Sequence, residues 1–200
     1  MNMWNAGVDG IYLFNFGYRT RPQFRVLFEI GDRERLAYLD KLYVPDARGK
    51  TWAGPGHWLK GGDDYYRRAQ PLPQELSKES PKATVNILVG DDISMPKAKG
   101  VEPAAALGLQ FADISSITGF NVTLNGNPLK WQGGTFDANY LRYELISSWV
   151  KQGVNVVEMT YETDSDTKLV LTALRLSINY EYMGVPFEAV NGARYQADKE

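Results

Sequence analysis

The sequence predicts a mainly β protein, an antiparallel β-sandwich of jelly-roll type over residues 82–182, preceded by a short βα fragment. In residues 120–124, Phe120, Val122 and Leu124 alternate with Asn121 and Thr123, and the run stops at Asn125-Gly126. Alternation at period two marks a strand buried on one face, and Asn-Gly tolerates the positive φ angles of a tight hairpin. Short apolar runs recur at 83–89, 106–111, 140–146, 155–161 and 168–180, separated by turns such as Asp91-Asp92 and Asp164-Ser165-Asp166. No stripe at helical spacing runs through them, and many short strands without intervening helices form a sandwich or jelly roll.

Residues 11–16, Ile-Tyr-Leu-Phe-Asn-Phe, are a nearly continuous apolar and aromatic run after Gly10. Such a strand is covered on both faces, the usual state of a parallel strand in an α/β protein. Residues 22–30 carry Phe24, Leu27 and Phe28 at helical spacing, with Gly31 as a stop. Asp32 is placed to N-cap a second helix over 33–43, on which Leu36, Leu39 and Tyr43 share a stripe. Residues 1–48 therefore read as a βα unit with an extra helix, the kind of unit from which a (β/α)8, or TIM, barrel is built. A complete barrel takes roughly 250 residues, so the other units are expected upstream.

Residues 49–81 lose all periodicity and are punctuated by Gly54-Pro55-Gly56, Gly61-Gly62, Pro71 and Pro73, which marks a connection. Trp52, Trp58, Tyr65 and Tyr66 make it too aromatic for a free linker. Two readings stand: rings that pin the connection onto a neighbouring domain, or a sugar-stacking platform. At the far end, Val170, Leu174, Leu176, Ile178 and Tyr180 alternate, which predicts a strand with one core-facing side, central in its sheet. Residues 183–200 are read as a C-terminal tail.

Composition narrows the function classes. The 22 basic and 24 acidic residues nearly cancel, for a formal charge of -2, so no basic stripe marks a nucleic-acid partner. The absence of cysteine excludes disulfides, thiolate metal sites and cysteine nucleophiles, while leaving the compartment open. A hydrophobic content of 44% in 200 residues suffices for a real core. No run approaches the roughly 18 apolar residues of a membrane span, and no leader precedes the first element. A soluble chain without a membrane partner is expected.

No catalytic constellation emerges. His57, the only histidine, has no partner motif for a triad or a metal site and reads as a loop residue. Asp63-Asp64 and Asp91-Asp92 are adjacent pairs whose side chains point to opposite faces of an extended chain, so they read as turn residues rather than acid/base couples. The run Glu162-Thr-Asp-Ser-Asp166 offers oxygens that suit calcium. It lacks the glycine and distal glutamate of an EF-hand loop and falls where a hairpin turn is expected. No cofactor is expected, a structural calcium being the alternative. Asn121-Val-Thr123 matches a glycosylation sequon too short to carry weight.

Ligand-binding candidates fall in two places. Barrels place ligand contacts at the C-terminal ends of strands, which selects Asn15, Tyr18 and Arg19, an amide, a phenol and a guanidinium able to bond sugar hydroxyls. The competing reading has Asn15 capping the loop and Arg19 solvated, while Asp9 stands at the opposite, stabilising end. In the sandwich, Trp131, Phe136, Asp137, Asn139 and Tyr140 flank the Gly133-Gly134 loop. An aromatic ring beside amide and carboxylate groups suits sugar recognition, and core or interface packing is its competing use.

Ala6-Gly-Val-Asp-Gly-Ile-Tyr-Leu-Phe-Asn-Phe16, followed by Phe28-Glu-Ile-Gly-Asp-Arg-Glu-Arg-Leu-Ala-Tyr-Leu-Asp-Lys-Leu-Tyr43, resembles the last βα unit of glycoside-hydrolase-like (β/α)8 barrels of bacterial polysaccharide-degrading proteins. The resemblance implies a parent protein that acts, or once acted, on a glycan, with its catalytic pair on earlier strands. The chain is then expected to be the C-terminal part of a larger protein, a reading frame begun at an internal Met.

Val122-Thr-Leu-Asn-Gly-Asn127 together with Val150-Lys-Gln-Gly-Val-Asn-Val-Val157 resembles the galactose-binding-like jelly rolls that accompany many glycoside hydrolases. There a strand ending in Leu-Asn-Gly makes a hairpin, and a Gly-x-Asn turn starts the strand that crosses to the other sheet. Gly153 can take the positive φ of that corner, and Asn155 can bond backbone groups the turn leaves open. Such folds serve both sugar binding and structural packing.

The implied function is a non-catalytic C-terminal segment whose sandwich supports the barrel or binds carbohydrate. A free-standing carbohydrate-binding or adhesion module and an active hydrolase are the alternatives. Expected partners are carbohydrate and the upstream barrel domain. A second copy of the chain joins them if the strand at 11–16 has an exposed edge. The compartment is open, an exported parent being the expectation.

Overall fold

The computed structural model describes residues 1–11, 29–45, 72–94, 102–114, 118–131 and 140–180. Among the described residues, the short helices α1 (Asn2–Asn5) and α2 (Arg33–Leu36) come before the strands. These are β1 (Lys41–Tyr43), β2 (Gln74–Leu76), β3 (Lys82–Val89), β4 (Ala104–Phe111), β5 (Phe120–Leu124), β6 (Asn127–Leu129), β7 (Tyr140–Leu145), β8 (Gly153–Tyr161) and β9 (Leu169–Asn179). One sheet has the order β1-β9-β4-β7, with β2 beside β1 along the same edge of β9, and the other runs β3-β8-β5-β6. Every pairing is antiparallel.

Alternation builds these sheets. Along β3, Ala83, Val85, Ile87 and Val89 are buried while the residues between them are exposed. The inner faces of both sheets meet in one apolar cluster that includes Ile87, Leu107, Leu109, Leu124, Val157 and Leu176, all fully buried. Phe111 of β4 meets Phe120 of β5 edge to face, ring centres 5.3 Å apart at 89°. That contact adds about 1 kcal/mol beyond the area it buries. The protein is mainly β, with antiparallel sheets in a β-sandwich-like arrangement. All six runs of the predicted sandwich are strands, and β9 is central, between β4 and the pair β1 and β2.

Three details differ from the sequence reading. Val170 is only half-buried, and Leu169 and Leu171 take the core positions instead. Gln110 pairs with Ala173 but Phe111 pairs with Leu171, so Thr172 is an extra residue in β9. Such a bulge exchanges the two faces of a strand, which moves the buried set from odd to even positions. Secondly, the helix predicted over 33–43 stops at Leu36. Asp32 does cap it, accepting the Arg35 N–H at 3.0 Å. Residues 41–43 instead form β1, paired with β9 and burying Tyr43. A short isolated helix is marginal in water, so a ladder on β9 plus a buried tyrosine outweighs it.

Thirdly, Lys41–Tyr43, read as the end of a barrel helix, and Gln74–Leu76, read as connection, both add strands to the sheet around β9. The predicted strand at 11–16 lies outside the described residues but for Ile11. Of the predicted helix at 22–30, residues 29 and 30 are described and are helical, as is Gly31.

Candidate functional site

The β5–β6 hairpin and the start of β8 interlock at one corner. Asn125 (φ +52°) and Gly126 (φ +80°) make the turn, and Gly153 (φ +101°) opens β8. Asn125 Nδ2 donates to the Trp149 carbonyl at 2.8 Å and to Asn155 Oδ1 at 2.9 Å, and the Val156 N–H donates to Asn125 Oδ1 at 3.0 Å. Asn155 is fully buried; its Oδ1 accepts the Lys151 N–H at 2.9 Å, and its Nδ2 donates to the carbonyls of Lys151 (2.7 Å) and Gly153 (3.1 Å). Gly153 and Asn155 thus take the conformational and bonding roles expected of them.

Beside this corner, α1 lies over the end of β3. Asn2 Nδ2 donates to the Leu88 carbonyl at 2.9 Å, and Asn5 Nδ2 (2.6 Å) and Gln152 Nε2 (3.2 Å) converge on the Gly90 carbonyl. Arg33 Nη2 reaches Asn5 Oδ1 at 3.3 Å, and Trp4 Nε1 donates to the Ile30 carbonyl at 2.8 Å. Asn2, Asn5, Arg33, Gly90 and Gln152 line an open cleft of about 370 Å³ whose wall includes Gly153. A Cβ on Gly90 would stand 2.5 Å from Asn2 Oδ1 and 2.6 Å from the Asn2 nitrogen, so only glycine lets α1 approach. Gly90→Ala should therefore unseat α1 while the sandwich stays folded. Hydrogen exchange would register this as faster exchange in residues 1–11 and unchanged protection in β8.

Under α1 and β1 lies a buried polar centre. Asp91 is 1% exposed and forms an ion pair with Lys41, whose Nζ stands 3.1 Å from Asp91 Oδ1. The Tyr180 hydroxyl donates to Asp91 Oδ2 at 2.8 Å. Lys41 Nζ also donates to the Leu39 carbonyl at 2.8 Å and sits 4.9 Å from the Tyr180 ring centre, while the Tyr180 N–H donates to Asp40 Oδ1 at 2.7 Å. The Tyr43 hydroxyl is buried with no hydrogen bond of good geometry. Burial lowers the Lys41 pKa against the opposing pull of Asp91. Burial first, and then the Asp91 charge, push Tyr43 and Tyr180 above the ordinary phenol range. Burial alone pushes Tyr143 up to about 12.

The tyrosines give a pH prediction. Unfolded tyrosines ionise near pH 10, whereas these stay neutral in the fold, so above that pH the folded state holds more protons. Stability should then fall by about 1.4 kcal/mol per pH unit for each tyrosine. Lys41 works in the opposite direction, but only up to about pH 10.5, where the unfolded lysine loses its proton. Urea midpoints measured at pH 9, 10.5 and 11.5 should drop steeply over the last interval; a flat profile would contradict the burial of these phenols.

Of the sequence candidates, Asn15, Tyr18, Arg19, Asp137 and Asn139 lie outside the described residues, as do Phe136, His57, Asp63 and Asp64. Trp131 follows β6 and is 43% exposed, and Tyr140 begins β7, each strand outermost in its sheet order. Asp92 is a turn residue as read, accepting the Ser94 N–H at 3.0 Å. Asp91 is not, because the inward parity of 83, 85, 87 and 89 carries on to it. That parity was the available signal. The β8–β9 turn is laced by hydroxyls, with Ser165 Oγ donating to Thr167 Oγ1 at 2.8 Å. Among the described residues, no group of three or more His, Asp or Glu is placed to hold a metal, and no helix is long and apolar enough to cross a membrane. No protein-family model matches the chain, and no curated protein matches it significantly.

Proposed function

We propose that this chain is the non-catalytic C-terminal segment of a bacterial glycoside-hydrolase-like protein. Residues 6–40 would derive from the last βα unit of its barrel, with Lys41–Tyr43 taken into the sandwich as β1, and the sandwich would be an accessory, galactose-binding-like jelly roll that carries carbohydrate or supports the barrel. The observation that carries this reading is the Asn125–Asn155 corner, where a Leu-Asn-Gly hairpin and a Gly-x-Asn strand start are locked together by their amides. The pairing of β1 and β2 with β9 supports it further, since it gives residues upstream of the sandwich a firm seat on it. The non-catalytic reading is supported by Asp91, a carboxylate occupied by Lys41 and Tyr180 and closed to a substrate.

Glycan contact in this reading falls on the Trp131 and Tyr140 side, with Asp137 and Asn139, and at Asn15, Tyr18 and Arg19. Its test is a glycan array with the purified chain, followed by a reducing-sugar assay on the glycans retained. Binding without hydrolysis is expected, with a loss of about tenfold in affinity when Trp131 is replaced by Ala, the worth of one stacked ring. Hydrolysis by the chain would overturn the reading. Retention of nothing would leave only the supporting role.

A further inference from the structure

We propose that the cleft between α1 and the ends of β3 and β8 is a subsite for an acidic saccharide, a uronate-bearing oligosaccharide whose carboxylate meets Arg33. This rests on the carbohydrate-binding form of the proposed function and places a second contact away from Trp131. The cleft, about 370 Å³, holds one to two sugar rings, and among the described residues Arg33 is the charged one on its wall. The Asp32 carboxylate is occupied in capping α2, and Glu34 stands outside the lining. The field in the cleft therefore favours an anion, and guanidinium is the cation whose planar fork matches a carboxylate.

The amides complete the recognition. The NH₂ groups of Asn2, Asn5 and Gln152 are held by the carbonyls of Leu88 and Gly90, which fixes each amide before a ligand arrives. Each of these bonds uses one of the two N–H groups of its amide and orients the other. Asn2 Oδ1 is buried against Gly90 and turned away from a ligand, and Asn5 Oδ1 accepts from Arg33 Nη2 at 3.3 Å, which holds the guanidinium at the cleft. Such a site offers oriented amide N–H groups to hydroxyl oxygens and a cation to a carboxylate, the pattern of a sugar acid. Beside it, Leu88 and Val154, paired across β3 and β8, are 54% and 56% exposed, and Met3 on α1 is 60% exposed. An apolar rim next to oriented polar groups suits the mixed C–H and hydroxyl faces of a pyranose.

The experiment is calorimetric titration of the full chain with uronate oligosaccharides and neutral oligosaccharides of equal length, in wild type, Arg33→Met, Gln152→Ala and Trp131→Ala. The uronate should bind at least tenfold tighter than its neutral counterpart. Arg33→Met should abolish that preference, and Gln152→Ala should weaken uronate binding several-fold. Trp131→Ala should leave the preference intact. Arg33 is exposed, so its replacement leaves the fold in place. Glycan binding without a uronate preference, or a preference that survives Arg33→Met, overturns this subsite and leaves the proposed function standing. Failure of the wild type to bind any saccharide overturns this subsite together with the carbohydrate-binding form of the proposed function, and leaves only the supporting role.

Discussion

Replacing Asp91 by Ala should cost about 3–5 kcal/mol of folding stability, the penalty for leaving one partner of a buried ion pair alone. Lys41 is only 10% exposed at its side chain, and its ammonium would keep the Leu39 carbonyl and the Tyr180 ring but no anion. The Tyr180 hydroxyl would lose its acceptor in the same step. The centre joins β1, the end of β3 and the end of β9, so the damage should spread to both sheets. Lys41→Met strands the carboxylate instead, and the deeper burial of Asp91 makes that change costly too.

The double variant Lys41→Met with Asp91→Leu should recover most of the loss, because an apolar pair of similar volume often matches a buried ion pair. A double-mutant cycle on urea midpoints, closed by the Asp91→Leu and Lys41→Met single variants, isolates the coupling. An Asp91→Ala variant within 1 kcal/mol of wild type would show that the pair is hydrated rather than buried.

Most of the sandwich could be read from the sequence because its signal is local. Phe120, Val122 and Leu124, or Ala83 through Val89, declare their inward face by period-two alternation, and Asn125-Gly126 declares its turn by φ alone. What could not be read depends on a distant partner. The switch of buried parity within β9 exists because Thr172 has no opposite residue on β4. Tyr43 continues the helical stripe of Leu36 and Leu39, and residues 41–43 become a strand only because β9 offers an edge. The cleft is less legible still, since Asn2, Arg33, Gly90 and Gln152 come from four separate segments and none carries a motif. Asp91 is an intermediate case: the parity of β3 pointed it inward, but nothing nearby in sequence named Lys41 or Tyr180 as its partners.

Asn155→Ala should destabilise the protein by about 3–4 kcal/mol, a large effect for a side chain that touches no ligand. Asn155 is completely buried and serves Lys151 through both its N–H and its carbonyl, Gly153 through its carbonyl, and Asn125 through its amide. Alanine would leave several of these groups without a partner in a site closed to water, each costing about 1–3 kcal/mol, with partial relief as the turn relaxes. Asn155→Asp separates acceptor from donor. It keeps an oxygen for the Lys151 N–H but turns another oxygen towards the carbonyls of Lys151 and Gly153. Burial beside two carbonyls favours the protonated acid, so the folded-state pKa of that carboxyl lies above its unfolded value of about 4. Its stability deficit should therefore be large at pH 7 and shrink as pH falls towards 4. Denaturation of both variants at pH 4.5 and pH 7 separates the two roles. A deficit in Asn155→Asp that does not change with pH would mean that the corner admits water. In that case Gly153, which also walls the cleft, would be held by its own backbone rather than by Asn155.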